Sequence, residues 1–263
     1  MHKQQDNKPS IVMCFSGHDP SGGAGIQADI ESINANRARA CTVITALTVQ
    51  NTHDVQQLTP VELSHFQKAA ETLLSDISVN AFKTGLLASA EIAHTISEFA
   101  KQQPSIPLIV DPVLASGAGT HLSNNDLVQA LRDELLPVAT ITTPNLPEAQ
   151  IISGEKQASA CAEKLLATGC QHILLTGTHA NTEQVVNTLY SHNEKTEFEV
   201  ERLDYEYHGS GCTLAASLAA NLAKKQDVKT AVKNALDYTW QSLKQAQTVG
   251  KGQLLPNRHF SHD

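Results

Sequence analysis

The residues most able to do chemistry sit together in His208-Gly-Ser-Gly-Cys-Thr213. Gly209 and Gly211 let the backbone turn tightly and approach a ligand closely around Ser210. The alanine-rich stretch that follows reads as a helix, and the unpaired N–H groups and dipole at its start favour an anion such as phosphate. Cys212 falls in the first turn of that helix, where a thiol's pKa is usually lowered. An anion cradle that holds a potential base points to group transfer from a phosphate donor. The same residues also read as a tight strand-to-helix turn with a small buried cysteine.

Other polar residues recur where apolar runs end. The first such run leads into Ser16-Gly-His-Asp-Pro-Ser-Gly-Gly-Ala-Gly25, and the next ends in Gln50-Asn-Thr52. Later ones end in Lys83-Thr-Gly85, Asp111-Pro112, Thr143-Pro-Asn-Leu-Pro-Glu148 and Thr176-Gly-Thr-His179. Asp111 reads either as a magnesium ligand at a strand end or as a turn residue. Asn145 and Glu148, three apart at a helix start, either face one metal–phosphate group or cap the helix. Of the 12 histidines, His18, His179 and His208 lie in candidate loops.

These residues need a scaffold that brings strand ends to one rim. The pattern predicts strands at Ile11–Ser16, Cys41–Val49, Asn80–Thr84, Leu108–Val110, Ala139–Thr142, His172–Thr176, Val185–Tyr190 and Thr196–Leu203. Helices are expected at Ile26–Asn36, Val61–Asp76, Glu91–Lys101, Asn125–Leu136, through Thr168, Gly211–Lys224 and Val228–Gln245. Such alternation specifies an α/β fold with a largely parallel sheet covered on both faces. The polar turn Ser191–Lys195 makes the last two strands a hairpin, so the sheet is expected to be mixed. In such sheets ligands bind beyond the carboxyl ends of the strands. One domain spanning residues 1–263 is the economical reading, with surface tails at 1–9 and 250–263.

Composition narrows the function classes. A net charge of −8 from 19 basic and 27 acidic residues, with 4% aromatics and no basic run, argues against general nucleic-acid binding. The five cysteines are irregularly spaced without C-x-x-C, which reads as free thiols in a reducing compartment, hence the cytoplasm. Gly23-Ala-Gly25-Ile-Gln-Ala28 matches a dinucleotide fingerprint, but Gln50 stands where the ribose-binding carboxylate belongs. No Gly-Lys-Ser/Thr follows the glycines, so a P-loop is not indicated. Neither zinc spacing nor G-x-S-x-G occurs.

As a set, Ser16–Asp29, Thr45–Thr52, Asp111–Val113, Thr143–Glu148 and His208–Thr213 resemble the hydroxymethylpyrimidine/phosphomethylpyrimidine kinases of thiamine biosynthesis. The motifs keep that family's order over about residues 11–245. The resemblance implies a ribokinase-like fold, a homodimer, and ATP with Mg2+ as cofactors. It implies that Gln50 binds the aminopyrimidine edge, with Gly17, Asp29, Gly85 and Leu86 lining the pocket. Asp111 and Glu148 would hold the metal. Asn145, Thr176, Gly177 and Gly211 would serve the ATP phosphates. Gly209, Ser210, Gly211 and Cys212 would form the catalytic anion hole, with Cys212 as the base.

Two departures stand out. Many members carry a lysine in the loop after Asp-Pro-Val, whereas Ala115-Ser-Gly-Ala-Gly119 has none. Many have Lys-Gly-Gly-His where this chain has Thr176-Gly-Thr-His179. Both remove positive charge from the phosphate side. The expected activity is phosphorylation of 4-amino-5-hydroxymethyl-2-methylpyrimidine and of its monophosphate. Pyridoxal kinase is the alternative of the same fold. A non-catalytic sensor of thiamine precursors is the alternative of another class.

Overall fold

A strand buried on both faces needs a continuous apolar run, and β1 (Ile11–His18) supplies one at the centre of the sheet. The computed structural model describes residues 8–117, 119–177, 183–192 and 194–260. Parallel to β1 on one side runs β2 (Arg39–Gln50), and on the other β4 (Ala81–Thr84). β3 (Val55–Pro60) folds back antiparallel on β2. The parallel series continues through β5 (Leu108–Val110), β6 (Ile141–Thr142) and β7 (His172–Leu175). β8 (Gln184–Ser191) and β9 (Lys195–Glu201) complete a mixed sheet in the order β3-β2-β1-β4-β5-β6-β7-β8-β9. The chain leaves β1 towards β2 and returns to β4 on the opposite side. The carboxyl ends of β1 and β4 therefore form a topological switch point, where open α/β sheets bind ligands.

Alternating side chains of β1 feed two cores. Met13 and Phe15 join Phe66, Phe82 and Phe99 beneath α2 (Leu63–Asp76) and α3 (Ala90–Gln102). Val12 and Cys14 face α1 (Gly25–Ala35), α7 (Ser210–Ala223) and α8 (Val228–Lys244). Residues 213–223 of α7 are all buried. Their many alanines let this helix lie close to the sheet and place its first turn over the switch point.

Four expectations change. β3 carries no apolar alternation because most of its residues are exposed at the sheet edge, so its sequence gives no strand period. The helix expected to reach Leu136 is α4 (Asn125–Ala130), followed by a π turn at Leu131–Leu135 and a 3-10 turn at Leu136–Val138, where Pro137 cannot donate to an α-helical ladder. The helical region through Thr168 is two helices, α5 (Leu146–Ser153) and α6 (Ala158–Leu166), split at Gly154 with φ +76°. Within the expected C-terminal surface tail, Leu255, Arg258 and Phe260 are buried. Gln253 N donates to Thr52 O at 2.8 Å, and Asn257 N to Ser242 O at 3.0 Å. This segment is a strap across the strand ends, because its apolar and hydrogen-bonding groups are used in packing.

Candidate active site

Gly209 starts the site. It caps α7 in the left-handed region at φ +86°, and a Cβ there would stand 1.7 Å from the Gly23 carbonyl oxygen. Only glycine fits, and its two chain neighbours are thereby held against the glycine loop that follows β1. No side chain caps α7, so the N–H groups at Ser210, Gly211 and Cys212 remain available to an anion. A Cβ at Gly211 would meet only Asp111 Oδ1, at 4.0 Å. The open cradle therefore faces the carboxylate that ends β5.

Asp111 is buried, and its Oδ2 has no hydrogen-bond partner, while Oδ1 accepts a long bond of 3.4 Å from Thr143 Oγ1. Burial pushes its pKa up to about 6, against the pull of Lys83. Glu148 is raised to about 8, first by burial and then by the Asp111 charge. Glu148 also forms a capping box with Asn145. Its carboxylate accepts from Asn145 N at 3.0 Å, and its own N–H donates to Asn145 Oδ1 at 2.9 Å. Helix capping, one of the two readings open at sequence level, is thus present in the fold. The unpartnered Asp111 oxygen beside a second carboxylate fits a divalent cation of the magnesium type, which uses one or two carboxylates together with substrate phosphates. Among the described residues there is no cluster of three or more acidic, histidine or cysteine side chains that could hold a metal unaided.

Cys212 is half-buried. Its position in the first turn led to an expected lowering of its pKa, and the structure reverses that. Burial, with the Asp111 and Asp29 carboxylates adding to it, pushes the thiol up to about 12, and the Lys83 ammonium offsets only part. The thiol also lies within hydrogen-bonding reach of the Asp111 carboxylate.

Beneath the turn lies a buried ion pair. Lys83 Nζ on β4 donates to Asp29 Oδ1 on α1 at 2.7 Å, and both side chains are 0% exposed. Ser16 Oγ donates to the other Asp29 oxygen at 2.7 Å. Asp29, expected to line the substrate pocket, is instead fully buried and engaged by the Lys83 ammonium, which has no other carboxylate bonded to it. Gly85 keeps this knot closed, since a Cβ there would lie 2.7 Å from Ser16 Oγ and 2.9 Å from Lys83 Nζ.

The remaining candidates fall on two sides of Cys212. Gly17 packs against Leu86, with a would-be Cβ 3.1 Å from Leu86 Cδ2. Gln50, half-buried, donates to Thr48 Oγ1 at 2.7 Å and lines a small gap with His208, Ser116 and Gln253. On the other side Asn145 bridges to Thr176, and Gly177 lies so close to Val186 that a Cβ would be 1.9 Å from its carbonyl oxygen. Thr178, His179 and Ala118 of the candidate loops lie outside the described residues.

Sequence reasoning gave no role to Lys83, Ser16, Asp19 or Arg258. A lysine inside the buried strand Ala-Phe-Lys-Thr was a legible signal, because an unpaired charge there would be untenable. Asp19 accepts from Ser21 N and Oγ, from Ala24 N at 2.7 Å, and from His208 Nε2 at 2.8 Å. It thereby fastens the glycine loop to the residue that precedes Gly209.

The sequence profile described as phosphomethylpyrimidine kinase matches residues 19–257. The chain belongs to this family. It is 34% identical over 263 residues to the hydroxymethylpyrimidine/phosphomethylpyrimidine kinase of Staphylococcus aureus strain Mu50, covering 97% of this chain and 95% of that one. Bacillus subtilis pyridoxal kinase, solved as an ADP complex, superposes with a TM-score of 0.88 at 29% identity, over 95% of this chain and 97% of that one. The phosphomethylpyrimidine kinase of Clostridium difficile 630 has a TM-score of 0.77 at 32% identity, over 88% and 98%. The fold is therefore ribokinase-like, and the protein is a phosphotransferase.

Proposed function

We propose that the protein transfers the γ-phosphoryl group of ATP to the hydroxymethyl group of 4-amino-5-hydroxymethyl-2-methylpyrimidine, and then phosphorylates the monophosphate to the diphosphate. The observation that carries this is the uncapped Gly209–Cys212 turn facing Asp111 in a chain matched to the family over residues 19–257. Backbone N–H groups of the turn hold the transferring phosphoryl, and the thiolate form of Cys212, a small fraction at neutral pH, receives the alcohol's proton to become the thiol as ADP leaves. Magnesium, held by Asp111 and Glu148, would neutralise charge on the donor phosphates. Asn145, Thr176 and Gly177 serve the donor side. Gln50 reads the aminopyrimidine edge, with Gly17, Gly85 and Leu86 shaping the ring pocket and Asp29 supporting it from below. Such catalysis is chiefly positioning and electrostatics.

A homodimer is part of this reading through the family resemblance of the sequence motifs alone. Five cysteines without a disulfide support a cytoplasmic setting. No helix among the described residues is long and apolar enough to cross a membrane.

The test is ADP formation with magnesium-ATP and either hydroxymethylpyrimidine or pyridoxal, run on the wild type and Cys212→Ala. The TM-score of 0.88 to a pyridoxal kinase makes pyridoxal the necessary second arm. General-base help is worth about 100- to 10,000-fold. Because burial leaves only a small thiolate fraction of Cys212 at neutral pH, the lower end, about 100-fold, is expected for the alcohol step. The monophosphate is already an anionic nucleophile, so the second step should fall much less. Unchanged turnover in Cys212→Ala, or equal loss of both steps, would refute the base role. No ADP with either alcohol would refute the kinase reading and favour a sensor.

A further inference from the structure

The C-terminal strap brings one buried cation to the back of the anion cradle. The Arg258 side chain is 1% exposed. Its Nε donates to Thr213 Oγ1 at 2.9 Å, directly after Cys212. Nη1 donates to Gly22 O at 3.2 Å and to Glu31 Oε2 at 3.1 Å, and Nη2 donates to Gly23 O. Thr213 Oγ1 passes the linkage on, donating to Gly209 O at 2.8 Å. A Cβ at Gly209 would lie 3.0 Å from Arg258 Nη2, so the guanidinium backs the turn itself. The arginine is in turn fixed by α8, where Tyr238 Oη donates to its carbonyl oxygen at 2.9 Å.

We propose that Arg258 is a positioning residue for phosphoryl transfer, clamping the glycine loop that borders the acceptor pocket against the Gly209–Cys212 turn that holds the phosphoryl group. This rests on the kinase reading above. Three segments far apart in sequence meet on one planar fork: residues 22–23, residue 213 and the strap. A guanidinium satisfies such a set because its donors diverge in a fixed plane, whereas a lysine ammonium is a point charge on a flexible stem. The charge matters as well. Its carboxylate partner Glu31 is 39% exposed, so the buried guanidinium leaves positive potential behind the anion cradle. A misplacement of about 1 Å between reacting groups costs on the order of 100-fold in rate.

The test compares the wild type with Arg258→Ala and Arg258→Lys by steady-state ADP formation, with thermal unfolding of each to establish folding. The expected result for Arg258→Ala is a fall in kcat of about 100-fold, with KM for both substrates changed by less than about threefold. Arg258→Lys should also fall, despite keeping the charge. Millimolar guanidinium should restore part of the kcat of Arg258→Ala and none in the wild type, which a merely structural role would not produce. A folded Arg258→Ala or Arg258→Lys enzyme with unchanged kcat overturns the proposal. So does a loss of rate with no rescue by guanidinium, or failure of both variants to fold, which would make Arg258 a stability residue only. An inactive wild type would instead refute the kinase reading, so the two failures are distinguishable.

Discussion

Lys83→Met would remove the ammonium from the buried pair and leave Asp29 with only the Ser16 hydroxyl. The pair measures 2.7 Å with both side chains fully buried. Burial works against the lysine's charge, but Asp29, with smaller help from Asp111, holds its pKa above the usual lysine range. Removing one member of such a pair typically costs about 3–5 kcal/mol, because the remaining charge stays in a medium that solvates it poorly. Asp29→Leu should cost a similar amount. Against a total of about 5–15 kcal/mol for a folded domain, either variant would keep a thin margin. With a urea slope of about 3 kcal/mol per M, each midpoint should drop by about 1–1.7 M.

The double variant separates this account from plain loss of packing. With both charges gone nothing buried is left unpaired except the Ser16 hydroxyl, which loses its acceptor at a cost of about 1 kcal/mol. The double variant should therefore be more stable than either single one, with a coupling of at least about 2 kcal/mol. Urea unfolding of all four proteins, followed by circular dichroism, gives this coupling directly. Additive losses, with a coupling below about 0.5 kcal/mol, would refute the reasoning and mean that the two side chains act only by filling space.

Two further predictions follow from the loop geometry. Gly209→Ala should destabilise by at least about 1–3 kcal/mol, since the φ of +86° and the 1.7 Å approach to Gly23 O both exclude a side chain. Gly211→Ala, whose Cβ would find only Asp111 Oδ1 at 4.0 Å, should unfold within about 0.5 kcal/mol of the wild type; equal effects at both positions in urea unfolding would contradict the geometry. Asp19 gives a pH dependence: burial alone would raise it, but hydrogen bonds from His208 and Ser21 outweigh burial and bring it from 3.8 to about 2. A carboxyl depressed in the folded state stabilises above its unfolded pKa, so its contribution of about 2 kcal/mol should be present at neutral pH and fade as pH falls from about 4 towards 2. The stability gap between wild type and Asp19→Asn, measured against pH, should close over that window; a gap that stays constant would remove the linkage.

Alternation of apolar runs and helical periods revealed the α/β architecture because strands such as β1 and β7 are buried on both faces and cannot be written in polar residues. β3 was hidden for the converse reason. It lies at an edge, mostly exposed, and owes its form to pairing with β2. The same logic divides the site. Gln50, Asp111, Asn145, Glu148 and Cys212 stand at strand ends or in helix first turns, so local pattern marked them. Lys83 and Asp29 are 54 positions apart, and Arg258 is 45 beyond Thr213. No local pattern says that such residues face one another. Asp29 consequently looked like a pocket residue, and Arg258 like part of a loose tail.

The reversal at Cys212 has a similar origin and says something about the site as a whole. A helix start lowers a thiol's pKa through a dipole that sequence makes visible. What outweighs it is burial under the rest of the fold, to which the carboxylates of Asp111 after β5 and Asp29 on α1 add. Lys83 is the ammonium beside them, but its pull on Asp111 does not overcome burial, and the Asp111 charge in turn adds to burial in raising the proton affinity of Glu148. The loop Ala115-Ser-Gly-Ala-Gly119 and Thr176-Gly177 add no side-chain cation. Without such cations, the role proposed for Asp111 and Glu148 is to bind positive charge that arrives with the phosphate donor. The arginine clamp behind the turn then holds the anion cradle in place opposite them.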